Sequence, residues 1–208
     1  MSTYAIFHNK LTKKKLIYYP CPKNANTSTK MFLAKHCNVE RDYLFLGDEI
    51  PQKNQTAAHY GKKKNIIKLI PSKQPFEKKN VDIKCCIVRD PIKRFLSAYK
   101  NRIMYHGDPQ FNNHTIDMVL DKLESKNFEN KHFLPQTYFL GDDLDYYTFW
   151  TKTDNINIFV EQVNEFFGKK IEFPKIQTGG HDIKIGLNSS QIERVEKIYI
   201  NDYNLINK

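Results

Sequence analysis

A stretch near the middle of the chain places an arginine and a hydroxyl where they could hold a phosphate. The apolar and β-branched run Ile83–Val88 predicts a short buried strand. Arg89 follows at its carboxyl end, and Asp90-Pro91 predicts a helix start, because aspartate caps helices and proline suits the first position. Ser97 lies two turns into that helix. Since strand ends that lead into helix N-termini bind anions, Arg89 and Ser97 could converge on one phosphate.

A second stretch, Pro22-Lys23-Asn24-Ala25-Asn26-Thr27-Ser28-Thr29, contains small and hydroxyl-bearing residues. It lies between a strand predicted at residues 16–19 and a helix predicted at about 27–36. Small residues let backbone N–H groups face an anion, and the helix N-terminus and Lys23 add positive charge. The stretch lacks the Gly-x-x-x-x-Gly-Lys-Ser/Thr pattern of a Walker A loop. Taken alone, it fits a phosphate loop or an ordinary capped helix beside a surface lysine.

Length and composition indicate a folded protein. The 208 residues, 40% of them hydrophobic, suit one domain, which we place at 1–208. The net charge of +10 admits nucleic acid, an anionic membrane, a polyanion or a phosphorylated small molecule as partner. The four cysteines form no Cys-x-x-Cys pair, so we expect reduced, buried thiols. No apolar run has signal-peptide or membrane-span length, and we therefore expect a cytoplasmic protein without an integral membrane segment.

Strand and helix patterns alternate along the rest of the chain. Strands are predicted at 16–19, 43–46, 66–70, 83–88 and 146–150. Helices are predicted at 27–36, from 91 onward, at 115–126, within 132–140, at 157–167, and after a cap at Ser189 or Ser190. This alternation predicts an α/β fold, a single P-loop-like domain with a central, mostly parallel sheet flanked by helices.

The two phosphate-binding stretches together resemble a known pair of motifs. Pro22-Lys23-x-Ala25-x-Thr27-Ser28 is similar to the 5′-phosphosulfate loop of the sulfotransferases, and Arg89-Asp90-Pro91-x-x-Arg94-Phe95-x-Ser97-x-Tyr99 to their 3′-phosphate motif. The likeness is closest to the carbohydrate branch, sulfotransferase family 2, which includes chondroitin enzymes. His132-Phe133-Leu134-Pro135-Gln136 resembles a His-aromatic-x-x-Gln element of that branch, and Glu49-Ile50-Pro51 with Ala58-His59 resembles a segment carrying an Ala-His pair. The order of elements matches from about residue 16 to 206.

The resemblance implies a sulfuryl donor, 3′-phosphoadenosine-5′-phosphosulfate (PAPS), and no metal. Lys23 would stabilise the charge that builds on the leaving 5′-phosphate. The residues that follow it would complete the phosphate cradle: Asn24, Ala25, Asn26, Thr27, Ser28 and Thr29. Arg89 and Ser97 would bind the 3′-phosphate, which distinguishes PAPS from ordinary nucleotides. Arg94 could instead pair with an acidic neighbour or cover the helix face.

Transfer to a hydroxyl needs a base, and histidine suits this role at neutral pH. His59 ranks first, because the family commonly places its base between the two phosphate motifs. His132 ranks second, since it could equally orient a loop by hydrogen bonding. Glu49 is a third candidate, because some relatives use a glutamate in that region. His181 remains a weaker candidate, and we interpret His106 as a surface residue.

We therefore interpret the chain as a PAPS-dependent sulfotransferase that acts on a hydroxyl of a sugar or polysaccharide and does not bind nucleic acid. Two alternatives stay open. A P-loop-like nucleotide-binding kinase would need Mg²⁺ ligands near Lys23, and the sequence shows no Walker A or clear Walker B acid. A basic nucleic-acid-binding module would fit the net charge, but no recognition motif supports it.

Overall fold

The computed structural model of the protein describes residues 2–9, 12–38, 67–72, 82–111, 113–127, 130–174, 179–180 and 182–207. Three of the acid–base candidates, Glu49, His59 and His181, lie outside these residues, as does the strand predicted at 43–46. No helix in the described ranges combines the length and the apolar character needed to cross a membrane.

A sheet of five strands forms the centre of the described structure, in the order β3-β1-β2-β4-β5. The strands are β1 (Ser2–His8), β2 (Lys15–Tyr19), β3 (Ile67–Ser72), β4 (Ile83–Val88) and β5 (Phe149–Lys152). β2, β4 and β5 pair in parallel, whereas β1 pairs antiparallel with both β2 and β3. β3 therefore runs in the same direction as β2, and β1 alone of these five is reversed. The predicted α/β class with a mostly parallel central sheet is confirmed.

Seven α-helices accompany the sheet in the described ranges. They are α1 (Asn26–His36), α2 (Pro91–Tyr99), α3 (Ile116–Glu124), α4 (Gln136–Leu140), α5 (Ile156–Phe167), α6 (Ser189–Ile198) and α7 (Ile200–Ile206). A π-helical turn, Lys100–Tyr105, continues directly from α2. Asp90 caps α2 as predicted, because its side chain accepts a hydrogen bond from the Lys93 N–H at 2.8 Å.

Two local predictions were wrong. The strand predicted at 146–150 begins only at Phe149, because Tyr146 and Tyr147 pack instead against Tyr19 with ring centroids 5.8 and 5.2 Å away. The last long helix is capped by Asn188 rather than by Ser189 or Ser190. The Asn188 side chain accepts from the Gln191 N–H at 2.9 Å, and the Gln191 side chain accepts from the Asn188 N–H at 3.2 Å.

Alternating side chains of β2 build a core on each face of the sheet. Leu16 and Tyr18 pack in a cluster with α1 and α5, while Ile17 and Tyr19 pack on the other face with α4 and α7. The sheet is therefore covered by helices on both faces, as predicted. Because β2 and β4 are parallel neighbours, the loops that follow them leave the same edge of the sheet. That edge brings together the two phosphate-binding stretches identified in the sequence.

Candidate active site

The loop between β2 and α1 holds two residues in the left-handed backbone region, Lys23 at φ 71° and Ala25 at φ 54°. This conformation is uncommon for residues other than glycine, so surrounding contacts must maintain it. Ala25 supplies no side-chain hydrogen bond to the helix N-terminus, and the first turn of α1, which is fully described, contains no acidic residue. The N–H groups and the positive dipole end of α1 therefore remain available to an anion.

A buried amide pair locks this loop to the end of β4. Asn24 Nδ2 donates to the Ile87 carbonyl at 2.8 Å and to Gln136 Oε1 at 2.7 Å. Gln136 Oε1 also accepts from the Arg89 N–H at 2.9 Å, and Gln136 Nε2 donates to the Arg89 carbonyl at 2.8 Å. The buried carboxylate of Asp202 in turn accepts the first two N–H groups of α4. The relative position of the two phosphate-binding stretches is therefore fixed by hydrogen bonds inside the protein.

Two arginines bind the same loop from the other side. Arg89 Nη1 donates to the Lys23 carbonyl at 2.8 Å. Arg94 is only 2% exposed, and its Nε donates to the Pro22 carbonyl at 3.1 Å. Arg94 does not cover an exposed helix face, as one sequence interpretation had it, and it pairs with no carboxylate among the described residues. The Nε of Arg89 is buried and has no hydrogen-bond partner within the described residues, which leaves a donor for a ligand.

Three arginine side chains lie close enough to the Lys23 ammonium group to affect its pKa. Burial lowers the pKa of Lys23 to about 8, and the charges of Arg89, Arg102 and Arg94 act in the same direction. Arg102 comes from the π-helical turn after α2, and such turns are frequent at functional sites. Arg102 is paired with Asp108, but within the described residues Lys23, Arg89 and Arg94 form no ion pair, and such cations favour an anionic ligand.

The other predicted phosphate-binding residues occupy different environments. The Thr29 hydroxyl donates to the Ala25 carbonyl at 3.0 Å, so it stabilises the first turn of α1. Ser97 is half-buried on α2, three residues after Arg94 and therefore on the same side of the helix. The remaining predicted residues, Asn26, Thr27 and Ser28, lie in the first turn of α1.

His132 lies beside this cationic group. Burial lowers the pKa of His132 to about 3, and the charges of Arg102 and Lys23 lower it further. Its Nδ1 is 2.8 Å from Asn130 Oδ1. Burial and the positive charges of Arg102 and Lys23 also lower the pKa of His106. Its side chain is exposed, as predicted. The two histidines therefore lie on the inner and outer sides of the same site.

A comparison with protein families decides what this arrangement is. The model of sulfotransferase family 2, described as "Sulfotransferase family", matches residues 11–207. The chain belongs to the sulfotransferase family. Comparisons with curated proteins and with solved structures found no match. The family and the enzyme class predicted from the two motifs are thereby confirmed.

The residues of this sulfotransferase fit the donor that its family uses. PAPS carries a phosphate at one end of its ribose and a phosphosulfate at the other, so its site needs two anion-binding groups. Lys23 and the N-terminus of α1 would hold one phosphate group, and Arg89, whose buried Nε has no partner within the described residues, would hold the other. Both groups leave the same sheet edge, and Gln136 connects them.

Sequence reasoning missed Arg102 and did not give Gln136 a role in this sulfotransferase. Arg102 lies beyond the recognisable motif, in a π-helical turn. A sequence pattern of 3.6 residues per turn does not predict which side such a turn presents. Gln136 belongs to the His-aromatic-x-x-Gln element, and the resemblance of that element to one in the carbohydrate branch was the available signal. Its double contact with Arg89 connects residues 47 positions apart, and local patterns do not reveal such contacts.

Proposed function

We propose that this sulfotransferase moves the sulfuryl group of PAPS to a hydroxyl of a carbohydrate. The observation that carries the proposal is the convergence of Lys23, Arg89, Arg94 and Arg102 at the edge where β2 and β4 end. Arg89 and Arg94 donate to backbone carbonyls, and their positive charge therefore remains available to phosphate groups.

Each of these residues has a defined part in the reaction. PAPS supplies the sulfuryl group and a phosphate leaving group. Lys23 and the N–H groups at the start of α1 stabilise negative charge on the 5′-phosphate. This stabilisation lowers the reaction barrier most when the donors are already held in position before the reaction. Arg89 and Ser97 hold the 3′-phosphate. Arg94 and Gln136 keep the loop carrying Lys23 in its left-handed conformation.

A histidine takes the proton of the acceptor hydroxyl in this proposal. His59 and His132 are the two candidates, and His132 is the one whose surroundings the structure describes. The low pKa of His132 keeps its ring neutral at physiological pH, so one ring nitrogen is available as an acceptor. Replacing each histidine by alanine in turn distinguishes the two, because only loss of the base should abolish transfer while PAPS still binds.

An exposed aromatic ring supports a carbohydrate as the acceptor. The side chain of Tyr105, in the π-helical turn, is 60% exposed, and its ring meets that of His106 edge-on at 4.8 Å. Gly179 lies directly against this ring, and a Cβ atom at that position would clash with it. An apolar ring with a polar hydroxyl, fixed beside a cationic site, suits a sugar, whose faces are apolar and whose edges are polar.

Ligand binding provides the first test. At a concentration of 100 times its Kd, adenosine 3′,5′-bisphosphate should stabilise the protein by about 2.7 kcal/mol, which for a chain of this size raises Tm by roughly 5–10 °C. Adenosine 5′-monophosphate is the matched control, since it lacks the 3′-phosphate, and should give a much smaller shift. If neither the bisphosphate nor PAPS raises Tm, the proposal is wrong.

A transfer assay provides the second test. Labelled PAPS is offered with a panel of sugars and polysaccharides, and transfer should require a carbohydrate hydroxyl. Lys23→Ala and Arg89→Ala should abolish it. Phosphate transfer from ATP would support the kinase alternative instead, and steeply salt-dependent binding to DNA or RNA without any effect of the bisphosphate would support the nucleic-acid-binding alternative.

A further inference from the structure

A chain of hydrogen bonds connects the π-helical turn to the ring of His132. Arg102 Nη2 donates to Asp108 Oδ2 at 2.9 Å, and its Nε lies 3.3 Å from the same oxygen. Asn130 Nδ2 also donates to Asp108 Oδ2, at 2.7 Å. Asn130 Oδ1 then lies 2.8 Å from Nδ1 of His132. Asp108 and Asn130 are 7% and 8% exposed, so water can replace few of these contacts.

The direction of each bond follows from the carboxylate at the start. Burial alone would raise the pKa of Asp108, but hydrogen bonds from Arg102, Gln110 and Asn130 bring it below its ordinary value. An ionised carboxylate only accepts hydrogen bonds, so the NH₂ group of Asn130 must face Asp108. The carbonyl oxygen of Asn130 must therefore face His132, where it also accepts the His132 backbone N–H at 3.0 Å.

This orientation determines which ring nitrogen of His132 carries hydrogen. A neutral imidazole has one N–H donor and one acceptor nitrogen. Since Asn130 Oδ1 can only accept, Nδ1 must carry the hydrogen and Nε2 must carry the lone pair. Among the described residues, burial and the positive charges of Arg102, Lys23, Lys131 and Arg94 lower the pKa of His132 and keep its ring neutral.

We propose that Arg102, Asp108 and Asn130 are positioning residues that hold His132 as its Nδ1–H tautomer and so present Nε2 to the hydroxyl of the acceptor. The hydroxyl hydrogen then has one fixed partner, and the hydroxyl oxygen is oriented for attack. This inference rests on the proposed function and on His132, rather than His59, taking the proton, but the tautomer itself is a property of the free protein. In free histidine the other tautomer, with hydrogen on Nε2, predominates, so the protein must impose this one.

Nitrogen NMR of uniformly ¹⁵N-labelled protein reads the tautomer directly, without substrate. The signals of His132 are identified by their loss in His132→Gln. At pH 7.5 we expect Nδ1 at the shift of a protonated nitrogen and Nε2 at that of an unprotonated one. An Nε2–H tautomer, or a charged ring at this pH, would overturn the proposal.

Two substitutions at position 130 separate positioning from folding. Asn130→Asp keeps an oxygen facing Nδ1, so the Nδ1–H tautomer should persist. Its second carboxyl oxygen meets the carboxylate of Asp108, which can only accept, so the two carboxyl groups should share one proton. Asn130→Leu removes the acceptor, so the Nε2–H tautomer should grow in and kcat should fall roughly 10–100-fold, the range seen for groups that orient a reacting partner. Retention of the Nδ1–H tautomer in Asn130→Leu would contradict the proposal.

The bisphosphate provides the folding control for these variants. Asn130 does not belong to the phosphate-binding stretches, so both variants should keep the Tm shift of the wild type. If Asn130→Leu does not fold, the tautomers of the wild type and of Asn130→Asp decide the question. A wild-type protein that has the expected tautomer but does not bind the bisphosphate would contradict the proposed function. It would still support the proposed role of the hydrogen-bonded chain.

Discussion

Two arginine clusters in this sulfotransferase are built on opposite principles. Arg194 on α6 binds three carboxylates of α3, with Nε and Nη2 donating to Glu124 at 2.8 and 2.7 Å. Arg89 and Arg94 in the active site donate instead to backbone carbonyls, at 2.8 and 3.1 Å. The first cluster neutralises its arginine within the protein, whereas the two arginines of the second form no ion pair with any residue that the structure describes.

The difference teaches how to distinguish a structural cation from a ligand-binding one. The hydrogen bonds that Arg194 donates to Glu124 are the main reason that the pKa of Arg194 is raised, because they stabilise its charged form. Burial lowers the pKa of Arg89, because the charged form lacks comparable compensation. A protein that keeps unmatched cations at the end of a parallel sheet accepts a cost in stability, and an anionic ligand removes that cost when it binds.

The largest effect should come from Lys23→Met. Loss of the ammonium group should lower kcat about 10²–10³-fold, the usual cost of one donor at a developing negative charge. The same change should raise Tm of the free protein by roughly 2–4 °C, because the cost of burying a charge disappears. Transfer assays and thermal melts at pH 7 measure the two effects.

The sign of that stability change follows from the pKa of Lys23. Below pH 8 the lysine is protonated in both the folded and the unfolded chain, and the folded state bears the full cost of the buried charge. Between about pH 8 and 10.5 the folded chain loses the proton first, so the cost declines. Lys35→Met, at the exposed end of α1, is the control and should leave both kcat and Tm unchanged. A Lys23→Met protein that is less stable at pH 7 would contradict the unmatched-charge interpretation.

The second largest effect should come from Arg94→Met, which leaves the carbonyl of the half-buried Pro22 without its donor. We expect a loss of about 2–4 kcal/mol in the free energy of unfolding, since an unsatisfied buried polar group costs more than the hydrogen bond itself contributed. Bisphosphate affinity should also fall, because the loop carrying Lys23 loses support. Urea denaturation and calorimetric titration measure these changes.

Lys93→Met is the control for Arg94→Met, one position earlier on α2. Lys93 is exposed and pairs with the equally exposed Asp154, so its loss should leave stability and bisphosphate affinity unchanged. Equal losses in the two variants would mean that α2 tolerates no substitution, and that Arg94 has no special role.

Local signals explain why so much of the two phosphate-binding stretches could be predicted. The run from Ile83 to Val88 followed by Asp90-Pro91 contains a strand, a cap and a helix start in adjacent positions, and each signal depends on neighbours only. The same holds for α5, which ends where Gly168 adopts φ 61°. Such elements are recognisable because no distant residue has to be known.

The parts that could not be predicted depend on contacts between distant residues. β1 forms by pairing with β2 and β3, and its sequence alone carries no clear period. Tyr146 and Tyr147 have the composition of a strand, yet their rings pack on Tyr19, more than a hundred positions away. The unmatched charge of the site is also invisible in sequence, because it depends on which cations have no carboxylate beside them.

A moderate effect should appear in the pH dependence of bisphosphate binding. Because the pKa of Lys23 in the free protein is about 8, a rise in pH above 8 removes the charge that the phosphate binds, and affinity should fall by up to about tenfold per pH unit. The phosphates themselves stay fully ionised in this range. Calorimetric titrations from pH 7 to 9.5 measure the trend. Lys23→Met should bind more weakly and show no such trend, and a wild-type affinity that is flat to pH 9.5 would show that Lys23 does not contact the ligand.

The smallest effect should come from Arg194→Met, which tests the matched cluster. Its loss should lower the free energy of unfolding by only about 0.5–1 kcal/mol, since the pairs that it makes with α3 are mostly exposed. The loss should shrink in 1 M salt, where the Debye length is about 3 Å and such pairs are screened. Urea denaturation at low and high salt measures this, with the transfer assay run in parallel. Because Arg194 is neutralised by carboxylates and lies outside the active site, kcat and bisphosphate affinity should not change. A fall in either would mean that the α3–α6 contact, and not the unmatched charge at the sheet edge, controls the site.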